Sequence, residues 1–212
     1  MKDIPIAVFD IIVAVVALVG LLRGRKRGMS GEIFDLFMWL GIAFGSAFAC
    51  RAAGAELARL ANLSLLWGHV LAYLAAGLIV FSIFAIIKNA LRERLGGSDF
   101  FKGLEYPLGM LSGIIRFCCI LLVLVALINA RLYTEQERAE SAKQQKENFG
   151  SISFPTLGEV QNGIFQDSYA GKFIDKNLQM LLIPRLAPAT SPAAKENLKR
   201  KRESELERVI GK

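Results

Sequence analysis

Two ionisable residues interrupt otherwise apolar stretches of this chain, Asp10 and Arg116. A charge at the centre of a bilayer costs about 2.5–3.5 kcal/mol on insertion scales, so such a group faces protein or water. Asp10 lies about 9 Å into its stretch at 1.5 Å per residue, within reach of an interface. Arg116 is long enough to snorkel toward water. The sharper alternative is that the two meet inside a helix bundle and mark a polar path. Other chemistry-bearing groups are sparse. His69 is the single histidine and has no Cys or His neighbour in sequence, so packing or an interfacial position is the expectation. Cys50, Cys118 and Cys119 lie in or at the end of apolar runs, without metal-ligand spacing. They read as small apolar residues. There is no Ser-His-Asp set, and Gly20, Gly24, Gly28 and Gly31 do not form a nucleotide fingerprint after a strand. The inventory points away from an enzyme, and no cofactor or metal ion is expected.

The elements that must position Asp10 and Arg116 are long apolar runs. Four are visible: residues 4–22, 33–50, 65–87 and 106–130. Each is long enough to cross a hydrocarbon core of ~30 Å as a helix. The first is followed by Arg23, Arg25, Lys26 and Arg27 and not by a small-residue cleavage site, so it reads as a membrane helix and not a signal peptide. In the second, Ser30 is the expected cap, with Glu32 and Asp35 near the positive end of the helix dipole. Gly41, Ala43, Gly45, Ser46, Ala47 and Ala49 suit close packing in lipid. In the third, Trp67 and Tyr73 are expected near an interface, and Lys88 closes the run. In the fourth, Pro107 is tolerated in a first turn, and Gly109 and Gly113 form a small-xxx-small pair. The fold class expected is an all-α membrane protein: four transmembrane helices within residues 1–130, then a polar, partly helical tail over 131–212.

The formal net charge is +7. Nucleic-acid binding is one use of a basic chain, but here a basic cluster lies between two apolar runs, where it orients helices. The loops after runs one and three each carry four Lys/Arg; the loop between runs two and three carries only Arg51 and Arg59. The first and third loops are therefore expected in the cytoplasm, and both termini outside. In the tail, Thr134 to Asn148 reads as a polar helix, Gly150 to Gly163 as a loop, and Ser168 to Ile183 as an amphipathic helix lying on the membrane or on the bundle. Pro184, Pro188 and Pro192 then break the chain, and Ala193 to Lys212 reads as a solvated tail.

The order and spacing of several pieces resemble the colicin V production protein (CvpA) family. They are Phe9-Asp10-Ile11-Ile12, Leu22-Arg23-Gly24, Arg27-Gly28, Glu32 and Trp39, then Glu105, Gly109, Gly113 and Arg116. The second block departs from the family pattern: Glu105 stands where Asp is usual, and Phe117 where Gly is common. The resemblance covers roughly Phe9 to Asn129, with a looser echo near Ser168. It implies a multi-pass protein of the bacterial inner membrane, linked to colicin V-type toxin production or export and to envelope functions. It singles out Asp10, Arg23, Gly24, Gly28, Glu32, Gly109, Gly113 and Arg116. The expected partners are the lipid bilayer and either further copies of the chain or an unidentified membrane or envelope protein, with no nucleic acid. The alternative function is a small channel or transporter subunit with its polar path near Asp10 and Arg116.

Overall fold

The computed structural model describes residues 7–95, 104–133, 137, 143 and 155–186. Three long helices dominate: α1 (Val8–Leu60), α2 (Leu65–Leu95) and α3 (Glu105–Asn129). A short C-terminal segment adds α4 (Leu157–Asn162), a π-helical turn over Gly163–Asp167, α5 (Tyr169–Asn177) and a 3-10 turn over Gln179–Leu181. Among the described residues there is no strand; one isolated parallel bridge joins Arg131 to Leu186.

The linker expected between the first two apolar runs is reduced to a single residue. Gly28 has φ 70° and ψ 172°, a conformation that side chains disfavour, while helix continues on both sides of it. α1 is thus two arms, 8–27 and 29–60. Contacts fix their directions. Gly20 faces Gly113, Gly24 faces Gly109 and Gly28 faces Glu105, so the first arm runs antiparallel to α3. Gly41 faces Val80 and Gly54 faces His69, so the second arm runs antiparallel to α2. Arg116, further along α3, reaches Glu32 and Asp35, so the second arm runs with α3 and the chain reverses at Gly28. The first two expected runs fall on these two arms.

The α1–α3 seam is glycine on glycine. A Cβ on Gly20 would lie 2.7 Å from the Gly113 carbonyl oxygen, and one on Gly109 would lie 2.6 Å from the Gly24 carbonyl oxygen. The backbones touch, which is the close approach that small residues permit between helices in lipid. At the other end the turn from α1 to α2 closes tightly. Leu63 N–H donates to the Ala58 carbonyl at 2.9 Å and Asn62 N–H to that of Arg59 at 3.4 Å. Asn62, at φ 51°, takes the left-handed position of this C-cap.

α2 (over Leu65–Ala90) and α3 are each long and apolar enough to cross a membrane, with mean hydropathy 2.7. Only 11% of the apolar window of α2 and 33% of that of α3 is buried, whereas a core helix of a water-soluble fold is mostly buried. Large apolar side chains point outward from every long element, among them Ile11, Phe44, Phe48, Leu78, Ile86 and Leu124. So extensive an apolar exterior is the surface of a membrane protein. Tyr73 departs from its expected interfacial position: it is 1% exposed and packs in the core, whereas Trp67 is exposed.

The buried core lies toward the end of the bundle away from Gly28. It joins Phe9, Ala43, Ala47, Cys50, Tyr73, Val125 and Ala126 to Ile164, Phe165, Leu181, Leu182 and Ile183 of the C-terminal segment. That segment therefore packs on the bundle. The loop expected over Gly150 to Gly163 is helical from Leu157, where Thr156 and Glu159 form a capping box. The helix expected from Ser168 ends at Asn177, and Phe173 on it is exposed. Of the helix expected over Thr134 to Asn148 only Glu137 and Lys143 are described, both helical, and Ala193 to Lys212 lies outside the described residues.

Replacing Gly24 by Val puts a branched side chain against the Gly109 backbone. The expected cost is about 1–3 kcal/mol, read as a lower unfolding midpoint in detergent. Gly31→Ala is the control, since its new methyl meets only the Arg27 Cβ, at 3.5 Å; equal midpoints for the two variants would contradict the seam.

Candidate functional site

Near the Gly28 end, five charged side chains from every long element meet. Arg116 of α3 is 5% exposed and pairs with Glu32, which has no solvent contact. The same Nη1 lies 3.3 Å from Asp35 Oδ2. Arg27 Nη1, from the first arm, lies 2.8 Å from Asp35 Oδ2 and 3.5 Å from Glu32 Oε1. Lys88 of α2 donates to Asp35 Oδ1 at 2.5 Å. Glu32 and Asp35 are three apart, on one helix face, in the first turns of the second arm. They gather cations from three directions because the reversal at Gly28 sets that arm between α2 and α3.

Burying an ion is costly, and here the cost is met by opposite charges at hydrogen-bonding distance. The set is not fully satisfied. Glu32 Oε1 has only the 3.5 Å ion pair, without a hydrogen bond, and Arg116 Nε has no hydrogen-bond partner among the described residues. With Glu32 and Asp35 against Arg27, Lys88 and Arg116, the group carries a formal charge of +1.

A second carboxylate holds the turn itself. Ser30 was the expected cap of the second run, but its N–H donates to Glu105 Oε1 at 2.9 Å and its hydroxyl to Oε2 at 3.1 Å. Glu105, at the start of α3, therefore sits at the positive end of the second arm. A Cβ on Gly28 would lie 2.7 Å from Glu105 Oε1 and would push that side chain aside, and the positive φ of Gly28 disfavours one in any case.

Asp10 does not meet Arg116. Its two oxygens accept from the backbone N–H groups of Tyr169, at 3.1 Å, and Ala170, at 2.9 Å. It caps α5 from a distant helix, beside the local cap made by the Ser168 hydroxyl, which accepts from Gly171 N–H. The polar path expected between Asp10 and Arg116 is thus corrected: one residue serves the C-terminal segment, the other the ion cluster near Gly28. Other docking bonds agree. Arg51 donates to the Gln179 carbonyl, Asn129 to the Ile183 carbonyl, and Arg185 to Asn129 and Asp175.

Of the other expected residues, Gly24, Gly28, Gly109 and Gly113 line the seam, Glu32 joins the cluster, and Arg23 is exposed one turn before Arg27. Sequence reasoning passed over Asp35, Arg27, Lys88 and Glu105 as members of a site. Asp35 carried the clearest signal, an acid three positions into an apolar run, on the same face as Glu32. His69 has Nδ1 2.8 Å from the Leu65 carbonyl and packs on Gly54. Cys50, Cys118 and Cys119 are free thiols, and Cys50 is in the core.

The model of the family described as "Colicin V production protein" matches residues 9–154. The chain belongs to that family. The match takes in both arms of α1, α2 and α3, hence the whole ion cluster and the glycine seam. It ends just before α4, so the docked segment over 155–186 lies beyond the matched part of this family member. No curated protein and no solved structure matches the chain.

Asp10→Ala removes the acceptor for two α5 N–H groups, a loss of about 0.5–2 kcal/mol for a cap of this kind. The expected result is faster amide exchange or proteolysis within 169–186, with α3 unchanged. Unchanged protection of 169–186 would contradict the docking role.

Proposed function

We propose that this member of the colicin V production protein family spans the bacterial inner membrane four times, with its N-terminus and tail in the periplasm. It acts without enzymatic chemistry, through self-association or a membrane partner, in producing or exporting a colicin V-type toxin and in envelope function. The observation that carries the reading is the distribution of surface along the bundle. Outward apolar side chains cover both arms of α1 as well as α2 and α3. The first arm, at 1.5 Å per residue, is about 30 Å long, the thickness of a hydrocarbon core. Arg23, Arg25, Lys26, Arg27 and Lys88 gather at one end, which supports placing that end in the cytoplasm. The C-terminal segment docks at the other end, beside Asp10 and Arg51. A docked tail on the same side as the N-terminus agrees with an even number of spans.

Self-association or a partner fits the tight glycine seam, which leaves α2 less buried than α3 and open to contact with another protein. A channel subunit built around Asp10 and Arg116 loses its motive, because each of these side chains holds a different part of the fold.

Two measurements test the reading. In a cysteine-free background, cysteines at the exposed positions 25 and 26 react with a membrane-impermeant maleimide only after lysis. Cysteines at the exposed positions 169 and 180 react in cells whose outer membrane alone is permeabilised. The reverse pattern overturns the orientation. In mild detergent the protein is expected to run as an oligomer or with one stoichiometric partner. A monomer that conducts ions in proteoliposomes overturns the partner-based role.

A further inference from the structure

Beside the ion cluster, a cleft of about 340 Å³ opens between the arms of α1, α2 and α3. Its polar wall is made by Arg23, Arg27, Lys88 and Arg116, with Asp35 as the one acid on it. Its apolar wall includes Trp39, Phe81 and Ile120, which belong to the spanning parts of three helices. The cations exceed what the fold consumes. Counting Glu32 behind the wall, four positive charges face two negative ones, a formal +2. Arg23 is exposed and makes no ion pair or hydrogen bond among the described residues. Half of the Lys88 side-chain surface and 41% of that of Arg27 remain accessible although both touch Asp35. Arg116 Nε is buried without a hydrogen-bond partner. A cluster that served only to orient the helices needs neither a cleft nor this spare donor capacity.

We propose that this cleft binds the phosphate headgroup of an anionic phospholipid from the leaflet on the basic side. The acyl chains then lie along Phe81 and Ile120. Charge selects a phosphate, since Arg and Lys offer several N–H donors to its oxygens. The apolar wall at spanning depth selects a lipid over a soluble phosphate ester, and basic pockets between helices on the cytoplasmic side are a known way of holding such headgroups. The proposal rests on the four-span reading.

Trp39 in the cleft is one of two tryptophans, and Trp67 lies at the opposite end of the bundle. The full chain with Trp67→Phe, in nanodiscs of mixed lipids, reports quenching of Trp39 alone. Brominated phosphatidylglycerol is expected to quench it more than brominated phosphatidylcholine at equal mole fraction. Arg23→Gln, which removes no partner from the fold, and Lys88→Gln are each expected to reduce the preference by roughly fivefold. Trp39→Phe, leaving Trp67 as reporter, is expected to show no preference. Excess glycerol phosphate is expected to leave the preference in place; its abolition would assign the cleft to a soluble phosphate ester and overturn the lipid. Equal quenching by both lipids, or a preference unchanged in both Gln variants, overturns the proposal and leaves the four-span reading standing. No quenching by either lipid overturns both.

Discussion

A carboxylate with no contact with solvent is costly unless a cation or hydrogen-bond donors lie beside it, and Glu32, which has no such contact, has Arg116. The rest of the bundle is arranged around that requirement. Arg116 reaches Glu32 only because α3 lies against the first arm with backbones touching at Gly20, Gly24, Gly109 and Gly113. The second arm presents Glu32 toward α3 only because Gly28 reverses the chain in one residue. Asp35, one turn on, brings Lys88 and so α2 to the same point. Charges drawn from four segments make the helix arrangement specific in a setting where apolar packing alone distinguishes poorly between partners. In lipid, apolar side chains on a helix are no better off against another helix than against acyl chains.

The two ends of the bundle use acids in a second way. Glu105 covers the start of the second arm of α1 and Asp10 covers the start of α5. Each is a carboxylate placed by a distant helix on backbone N–H groups that have no partner within their own helix. Glu105 ties α3 to the turn at Gly28; Asp10 ties the C-terminal segment to the opposite end. Between them lies an apolar exterior, so the polar work of the molecule is concentrated at its two ends.

The helices were legible because they are runs of apolar residues, and the bounds of α3 differ by one residue at each end from the expected run. The helical arms that run up to Gly28 from both sides were not legible, because a basic cluster between apolar runs reads as a loop. Only the positive φ of Gly28 shows that one residue makes the turn. Family-type glycines were legible as a spacing, but their facing partners depend on the antiparallel register of the first arm and α3. The ion cluster was half legible. Arg116 stood out as a charge in an apolar run, while its partners looked like helix-dipole acids and interfacial cations. Asp10 stood out for the same reason as Arg116, and its role differs because N–H groups of a segment about 160 residues away satisfy it. Thr156 and Glu159 formed a readable capping box, but nearby Pro155 and Gly158 read more strongly as a loop.

The central claim is that Glu32 and Arg116 depend on each other. A double-mutant cycle with Glu32→Gln, Arg116→Gln and the pair together, unfolded from mild detergent, measures that dependence directly. Each single change leaves a buried charge with only its longer partner, Asp35 at 3.3 Å from Arg116 or Arg27 at 3.5 Å from Glu32, and is expected to cost up to about 3–5 kcal/mol. The double change is expected to cost less than the sum by at least ~2 kcal/mol. Single effects that add to within about 0.5 kcal/mol, as independent sites do, would contradict the account.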